Sequence, residues 1–312
     1  MNTRPQRPHT VIGTEGPDDL QAYEPAGGRV EGLEGDDTIN GSDFNDRLFG
    51  GPGTNIVYGR GGDDKLIGVY GEAYGGDGDD KIVDTSFADG GAGHDWIDSR
   101  GGNDTVLGGD GDDLILARRG NDLVRGGAGD DYIDGGDGSN TLVGGSGDDV
   151  IQTGRGWSIL AGQDGNDTLY GNRFSATLLG GNGYDVLIGG SKGDSISGGD
   201  GSDHIFGATG RDTLLGGEGY DTLDGGPGHD IATGGVGRDV FVINDDGGAL
   251  VITDFEQGVD SLYLDGLDYD DLTFRGRVIL DAQGDVVAAF SDGFEAASLR
   301  EEWDFSHDIA DF

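Results

Sequence analysis

A nine-residue repeat between Gly90 and Val242 constrains the possible folds of this chain more than any other feature. Divided into nines from Gly90, the stretch gives seventeen successive units with no residue inserted or lost. The units follow the pattern G-G-x-G-x-D-x-U-x, in which U is apolar. Fourteen carry Asp in the sixth place, and sixteen carry a large apolar residue in the eighth. So strict a period is typical of a solenoid, in which each unit is stable only when it stacks on its neighbours.

The residue types within each unit predict a tight turn followed by a very short strand. Glycines in the first, second and fourth places suit a turn with positive φ angles, because glycine reaches them without steric cost. The x-U-x triplet suits a strand whose middle side chain points to one face and whose flanking side chains point to the other. Two units then close one coil, which has two facing parallel sheets and turns on two opposite edges.

The two edges of the predicted coil differ in their acidic residues. We call "first edge" the turns of the unit that starts at Gly90 and of every second unit after it, and "second edge" the turns of the units between them. The sixth place of the first edge is always Asp: Asp95, Asp113, Asp131, Asp149, Asp167, Asp185, Asp203, Asp221 and Asp239. On the second edge the sixth place keeps Asp at Asp104, Asp122, Asp194, Asp212 and Asp230. Asn140, Ser158 and Ala176 replace it in three consecutive coils.

Repeats also precede Gly90, but they are less regular. They provide further sixth-place residues at Asp37, Asp46, Asn55, Asp64 and Asp80. Two short pieces, residues 68–74 and 84–89, are shorter than a full unit. A shortened unit must flatten or bulge a turn, so we expect irregular coils and weaker metal sites there, in a stack that continues.

An Asp fixed to one place of nine, beside fixed glycines, indicates metal sites rather than a solvated acidic face. Calcium takes six to eight oxygen ligands from carboxylates and backbone carbonyls. One turn supplies about half of that set, so an ion is satisfied between two turns stacked roughly 4.8 Å apart. The intervals between neighbouring Asp turns predict roughly eleven Ca2+ ions or more.

Composition limits the partners of the chain and links its folding to calcium. The sequence has 68 Gly, no Cys and a net charge of −42, with 33% hydrophobic residues. Without cations such a chain repels itself and buries little apolar surface, so we expect calcium to drive folding. Nucleic acid and anionic membranes are poor partners for such an acidic surface. No apolar run is long enough for a membrane span.

The nonapeptides from Gly32 to Val242 resemble those of the RTX (repeat-in-toxin, haemolysin-type calcium-binding) family. The segment VITDFEQGVDSLYLDGL, residues 251–267, resembles the C-terminal region of type I secreted members of that family. The resemblance implies an all-β fold, a right-handed parallel β-roll (β-helix solenoid) with a C-terminal β cap. It implies calcium ligation by the sixth-place Asp residues with backbone carbonyls. It also implies an extracellular protein, exported by the type I secretion machinery through an uncleaved C-terminal signal.

Three segments follow from these patterns. Residues 1–31 form an N-terminal segment with degenerate repeats, in which residues 1–12 are expected to lack regular structure and carry no cleavable signal. Residues 32–242 form the β-roll. Residues 243–312 form the cap and type I secretion region, with short strands expected at 250–255, 261–264, 272–274, 278–280 and 286–290. Residues 294–303 fit a helix or a further strand.

The second edge allows two interpretations of its basic residues. Arginines there can replace missing calcium charge by pairing with leftover carboxylates, which is the commoner role of such residues. Alternatively, Arg155, Trp157 and Arg173 form a groove for an acidic polysaccharide, as in RTX modules attached to alginate-modifying enzymes.

An enzyme is the least favoured interpretation. The segment GGSKG, residues 189–193, matches G-x-S-x-G, but it lies inside an in-phase repeat without the strand-turn-helix context of a nucleophile. The five histidines share no metal-ligand spacing. The repeats and the C-terminal segment leave no stretch for a separate catalytic domain, so we expect a non-catalytic protein.

Overall fold

The computed structural model describes residues 9–22, 27–245, 247–291, 296, 299 and 305–306. The chain divides into two compact units, Met1–Gly154 and Arg155–Phe312. Within the described residues each unit is a parallel β-solenoid, and its regular structure is β-strand apart from short 3-10 segments such as Tyr269–Asp271. The all-β parallel fold predicted from the repeats is confirmed.

The described residues of the first unit contain seventeen strands. They are β1 (His9–Ile12), β2 (Asp19–Gln21), β3 (Gly28–Glu31), β4 (Thr38–Asn40), β5 (Arg47–Phe49), β6 (Ile56–Gly61), β7 (Lys65–Ile67), β8 (Glu72–Asp77), β9 (Lys81–Val83), β10 (Phe87–Ala92), β11 (Trp96–Asp98), β12 (Thr105–Asp110), β13 (Leu114–Leu116), β14 (Leu123–Ala128), β15 (Tyr132–Asp134), β16 (Thr141–Ser146) and β17 (Val150–Gln152). Odd-numbered strands pair in parallel from β1 to β15 and on to β17. Even-numbered strands form a second parallel sheet from β2 to β16.

Equivalent residues of successive coils pair directly, and the eighth-place residues form the core. Ile97 pairs with Ile115 and Ile115 with Ile133 in the odd-numbered sheet, while Val106 pairs with Val124 in the even-numbered one. All five side chains are fully buried. Because side chains alternate along a strand, each sheet directs its middle residue inward, and burial of each such side chain stabilises the fold by roughly 1.5–3 kcal/mol.

The two shortened coils lose their residues from one edge only. The second-edge turn between β11 and β12 spans residues 99–104, whereas the turn between β7 and β8 spans 68–71 and the turn between β9 and β10 spans 84–86. These tight turns place Tyr70 and Asp84 at φ 50° and 67°. Strand pairing continues through both coils, as the stack of repeats predicts.

The N-terminal prediction needs a correction. Residues 9–12 are not irregular: they form β1, which pairs with β3 and so extends the odd-numbered sheet before Gly32. The apolar residues Val11 and Ile12 continue the strand pattern once the prolines have passed. Residues 1–8 lie outside the described residues.

The second unit contains the remaining strands. They are β18 (Ser158–Asp164), β19 (Thr168–Tyr170), β20 (Ala176–Asn182), β21 (Val186–Gly190), β22 (Ser195–Asp200), β23 (His204–Ala208), β24 (Thr213–Gly219), β25 (Thr222–Asp224), β26 (His229–Gly237), β27 (Val240–Asn244), β28 (Ala249–Ile252), β29 (Ser261–Asp265), β30 (Thr273–Arg275), β31 (Val278–Leu280), β32 (Val286–Phe290) and β33 (Phe305–Ser306). One parallel sheet runs β19-β21-β23-β25-β27-β29-β33. The other runs β18-β20-β22-β24-β26-β28-β32.

The C-terminal part of this unit departs from the repeat. Strand β32 pairs in parallel with β28, and β31 and β30 add to it in antiparallel orientation. Phe255 contacts Phe241 and Phe290, with ring centroids 6.2 and 5.5 Å apart, so aromatic rings cover the last repeat of the core. The strands expected at 278–280 and 286–290 have the predicted bounds. The segment 294–303 lies outside the described residues except for 296 and 299.

Candidate metal centres at the aspartate turns

The sixth-place aspartates are buried although each carries a carboxylate. All of the candidates proposed from the sequence have at most 4% of their surface exposed: Asp37, Asp46, Asp64, Asp80, Asp95, Asp104, Asp113, Asp122, Asp131, Asp149, Asp167, Asp185, Asp194, Asp203, Asp212, Asp221, Asp230 and Asp239. Asp is almost never fully buried without a partner, because desolvation of its charge is costly. The groups that contact these carboxylates therefore determine whether the turns can bind a metal ion.

In most turns one carboxylate oxygen is held by the preceding coil. The backbone N–H of Asp95 donates to Oδ1 of Asp113 at 2.8 Å, and that of Asp113 donates to Oδ1 of Asp131 at 2.8 Å. The same bond joins Asp64 to Asp80 and Asp80 to Asp95, each at 2.7 Å, so the short coils do not interrupt the first edge. In the second unit the ladder runs through Asp167, Asp185, Asp203, Asp221 and Asp239, with distances of 2.8–3.1 Å.

The second carboxylate oxygen lacks a donor. Among the described residues, Oδ2 is buried and accepts no hydrogen bond in Asp37, Asp64, Asp80, Asp95, Asp104, Asp113, Asp122, Asp131, Asp185, Asp194, Asp203, Asp212 and Asp221. Most buried polar atoms in proteins are hydrogen-bonded, so a repeated exception needs an explanation. A cation in contact with Oδ2 provides one.

First-place glycines leave the room that such a cation needs. A Cβ atom added to Gly90 would collide with Oδ2 of Asp95 and with the carbonyl oxygen of Gly108 in the next coil. The same collision recurs at Gly108, with Asp113 and the carbonyl of Gly126. A carboxylate oxygen of one coil and a carbonyl oxygen of the following coil therefore border one gap. Two acceptors with no proton between them fit a cation lying between coils.

Electrostatics favour the same conclusion. Burial raises the pKa of Asp64 to about 8, because desolvation outweighs the hydrogen bond from the Asp46 backbone and the carboxylates of Asp80 and Asp46 repel its charge. Burial likewise raises the pKa of Asp113 to about 7. The pKa is raised to about 6 or 7, with burial as the largest cause, at Asp80, Asp95, Asp122, Asp131, Asp194, Asp203, Asp212, Asp221 and Asp239. A bound cation would offset this cost of ionisation.

The donor set fits a hard cation rather than a transition metal. In the described part of the chain, no three side chains of His, Cys, Asp or Glu converge on one point. Most ligands would therefore be backbone carbonyls, with one carboxylate from each turn. Oxygen-only coordination in a flexible turn suits calcium, whereas zinc prefers nitrogen and sulfur ligands.

The second edge has shorter ladders. In the first unit, the N–H of Asp104 donates to Asp122 at 2.8 Å, and that of Asp122 donates to Oδ1 of Asn140 at 3.0 Å. In the second unit, a ladder begins at Ala176, whose N–H donates to Oδ1 of Asp194 at 2.7 Å. It continues through Asp212 to Asp230 at 2.8 and 2.7 Å. Ser158 and Ala176 are buried but offer no carboxylate.

Two arginines of the second edge pair with carboxylates outside the ladder. Arg100 lies 3.2 Å from Asp84, and Arg118 makes two contacts with Asp98, at 3.3 and 3.2 Å. Pairing with leftover carboxylates is what the charge-replacement interpretation predicts for these two residues.

The residues of the suggested glycan groove lie in neighbouring turns of the second unit. The side-chain amide of Asn172 donates to the carbonyl of Gly156 at 3.4 Å, which brings the turn of Arg155 and Trp157 next to the turn of Arg173. Trp157 is 51% exposed. In the adjacent turn Phe174 is 46% exposed. The structure thus places these residues in adjacent turns of the second edge.

Two aspartates that belong to the ladders were not among the ligands predicted from the sequence. Asp260, 5% exposed, accepts from the N–H of Asp239 at 3.1 Å and from the N–H of Glu256 at 2.8 Å. The signal was a degenerate repeat, FEQGVDSLY, with Gly258, Asp260 and Leu262 in the fourth, sixth and eighth places. Asp18 occupies the sixth place of a degenerate repeat at residues 13–21. Its backbone N–H donates to Oδ1 of Asp37 at 2.9 Å.

Facing parallel sheets joined by nonapeptide turns, with buried carboxylates that lack donors, define a metal-binding β-solenoid. A family model described as RTX calcium-binding nonapeptide repeat (4 copies) matches residues 31–66, 74–115, 107–142, 119–151, 143–178, 179–214 and 206–241. The matches span more than half of the sequence. The chain belongs to this family of calcium-binding repeats, as its nonapeptides predict.

One solved structure that matches this chain is an X-ray crystal structure of a hyperactive, Ca2+-dependent, beta-helical antifreeze protein from an Antarctic bacterium. It is 21% identical, with a TM-score of 0.39, and the similarity covers 81% of this chain and 85% of that chain. No curated protein matches the sequence. Among the described residues, no α-helix has the length and hydrophobicity that crossing a membrane requires.

Proposed function

We propose that this calcium-binding repeat protein is secreted and non-catalytic, and that extracellular calcium drives its folding. The observation that carries the proposal is the set of buried carboxylates whose Oδ2 atoms have no donor. An uncompensated buried charge destabilises a fold, whereas a cation between two coils offsets the charge and links the coils.

The proposed ligands are the sixth-place aspartates together with backbone carbonyls of two successive turns. Atoms that lack a donor occur at Asp37, Asp64 and Asp80 as well as in the strict repeat. Their distribution supports roughly eleven ions or more, in agreement with six to eight oxygens per calcium. Eleven ions would add roughly +22 to a chain whose net charge is −42. The aspartates have a structural role here, and the proposal assigns no catalytic residue.

Calcium-dependent folding has a direct test. Far-ultraviolet circular dichroism of the full chain should show a largely unfolded chain in chelator and a β-rich one in millimolar calcium, the range in which extracellular calcium modules bind. Magnesium at the same concentration is the control, because it demands stricter octahedral geometry and holds its water. A chain that is equally β-rich in chelator would contradict the proposal.

Secretion follows from the resemblance of residues 251–267 to the C-terminal region of type I secreted proteins. We infer that residues 243–312 form both the cap and the export signal. Deleting 243–312 should stop export from a cell that carries a type I exporter, and fusing 243–312 to an unrelated soluble protein should direct that protein into the medium. A fusion that stays inside the cell would exclude the signal.

A second candidate function is recognition of an acidic polysaccharide by the second edge. The observation that favours it is the exposure of Trp157 and Phe174 beside Arg155 and Arg173. The triple variant Arg155→Ala, Trp157→Ala and Arg173→Ala should lose retention on immobilised alginate while its calcium-driven folding stays unchanged. No retention of the unmodified protein would end this candidate and leave the calcium proposal intact.

A further inference from the structure

Two turns carry Asn in the sixth place, where most turns carry Asp, and the side-chain amide of Asn closes the turn. Nδ2 of Asn140 donates to the carbonyl oxygens of Gly135 and Gly136 at 2.9 and 3.2 Å. Nδ2 of Asn55 donates to the carbonyl of Gly51 at 2.9 Å. In both side chains the other amide atom accepts from the preceding coil, so the hydrogen bonds fix which end is nitrogen.

The amide nitrogen takes the place of the carboxylate oxygen that lacks a donor in the other turns. A Cβ on Gly135 would meet Nδ2 of Asn140, as a Cβ on Gly90 would meet Oδ2 of Asp95. The amide protons of Asn140 thus bind the carbonyl oxygens of the first and second places of its own turn, on the side of the turn where Oδ2 lies in an Asp turn. In the Asn turn the two protons of the amide supply the positive charge density that an ion would supply.

Two further turns are closed by a hydroxyl in the second place. The backbone N–H and Oγ of Ser42 donate to Oδ2 of Asp46 at 2.6 and 2.9 Å. The backbone N–H and Oγ1 of Thr14 donate to Oδ2 of Asp18 at 2.5 and 3.0 Å. Neither Asp46 nor Asp18 is among the aspartates whose Oδ2 lacks a donor.

The backbone explains why only these turns close this way. In open turns the second-place residue has a positive φ, such as 108° at Gly91 and 77° at Arg118. Ser42 and Thr14 do not have a positive φ. A left-handed second residue suits glycine and is strained for β-branched residues. The second-place residue thus decides whether its own N–H meets the carboxylate of the turn.

We propose that the turns of Asp18, Asp46, Asn55 and Asn140 bind no calcium, because hydrogen bonds inside each turn occupy the acceptors that an ion needs. The residues in the second and sixth places decide, turn by turn, whether an ion binds. A turn takes calcium only with Asp in the sixth place and a left-handed residue in the second. This inference rests on the proposed calcium function and would remove Asp46 from the proposed ligands.

The test converts closed turns into open ones and counts ions. Calorimetric titration and metal analysis after dialysis should find one more calcium per chain in Asn140→Asp and in Ser42→Gly. Asn103→Asp, which adds a charge at an exposed fifth-place position, and Ser42→Ala, which keeps the backbone donor, should leave the count unchanged. The reverse change, Asp131→Asn in an open first-edge turn, should remove one ion.

The outcomes separate this inference from the proposed function. If the unmodified chain binds no calcium, the proposed function fails. If it binds calcium but folded Asn140→Asp and Ser42→Gly both keep the original count, only the inference is overturned. Circular dichroism in calcium verifies folding of each variant. If neither gain variant folds, Asp131→Asn decides: an unchanged count in that variant overturns the inference, and the loss of one ion supports it.

Discussion

Replacing Asp113 by Asn should change stability in opposite directions with and without calcium. Asp113 is 3% exposed, its Oδ1 accepts from the N–H of Asp95 at 2.8 Å, and its Oδ2 has no donor. Asparagine keeps the first hydrogen bond. Its amide nitrogen can donate to the carbonyls of Gly108 and Gly109, as Asn140 does within its own turn. The variant therefore loses a calcium ligand but also loses an uncompensated buried charge.

The size of the stability change without calcium follows from the pKa of Asp113. Burial raises the pKa of Asp113 from 3.8 to about 7. A raised pKa means that the metal-free fold has its full stability below pH 3.8 and loses this contribution as the pH rises through 7. About three pKa units correspond to roughly 4 kcal/mol, and relaxation of the turn reduces this to about 2–4 kcal/mol. Asp113→Asn should therefore stabilise the metal-free fold by about 2–4 kcal/mol at pH 8.

In the presence of calcium, Asp113→Asn should destabilise the fold instead. An ion at about one hundred times its Kd stabilises the fold by roughly 2.7 kcal/mol, and the variant forfeits this contribution. The assay is folding followed by circular dichroism at pH 8, driven by sucrose in chelator and by calcium in buffer. In chelator the variant should need less sucrose, and in buffer it should need more calcium. Asp112→Asn changes an exposed neighbour in the same turn and is the matched control. It should change the free energy of folding by less than about 0.5 kcal/mol under either condition. A variant that is less stable under both conditions would refute the reasoning.

Three other outcomes follow. Ile133→Ala removes a fully buried core side chain and should lower the free energy of unfolding in guanidinium, with calcium present, by about 2–5 kcal/mol. Leu123→Ala changes a side chain that is 40% exposed and should lower it much less. Equal losses of stability in the two variants would contradict the assignment of the core. Gly109→Ala should weaken calcium-driven folding, because Gly109 has a φ of 129° and an added Cβ would collide with the carbonyl of Gly91. If the variant folds at the same calcium concentration as the unmodified chain, the turn tolerates a side chain. Calcium affinity should fall as the pH drops through the range of about 8 to 6, because protons compete with calcium for carboxylates whose pKa is raised. Calorimetry should therefore measure a higher calcium affinity at pH 8 than at pH 5.5. Equal affinities at the two pH values would argue against carboxylate ligands.

The sequence predicts the core and the burial of the aspartates because the repeat is strict. A residue such as Ile115 recurs in the eighth place at a fixed interval, so its pairing with Ile97 and Ile133 follows from the period alone. The period also predicts that Asp113 faces Asp95 and Asp131. Sequence periodicity is informative here because every coil repeats the same environment.

Other features depend on geometry that the period does not contain. The consensus treats Asp46 and Asp64 alike, although only Asp46 receives the hydroxyl of Ser42. That difference follows from one φ angle in the second place. Asp260 was missed because its repeat lacks the paired glycines and follows a segment that breaks the phase. The shape of the shortened units also required the structure, because the period does not reveal whether the turn or the strand of a short unit loses the residues.

Each aspartate of a ladder serves two coils, and this explains why ions and coils should form together. Oδ1 of Asp113 is held by a backbone N–H of the preceding coil, whereas Oδ2 borders a gap that is closed by the following one. Before an ion arrives, ordering a coil places a buried charge against its neighbour and gains little. After an ion binds, the ordered turn offers the next coil a fixed carboxylate and fixed carbonyls, so the next ion meets a site that is already half built. Nearest-neighbour coupling of this kind makes folding propagate along the stack, and a closed turn such as that of Asn140 continues the hydrogen-bond ladder without adding a dependence on calcium.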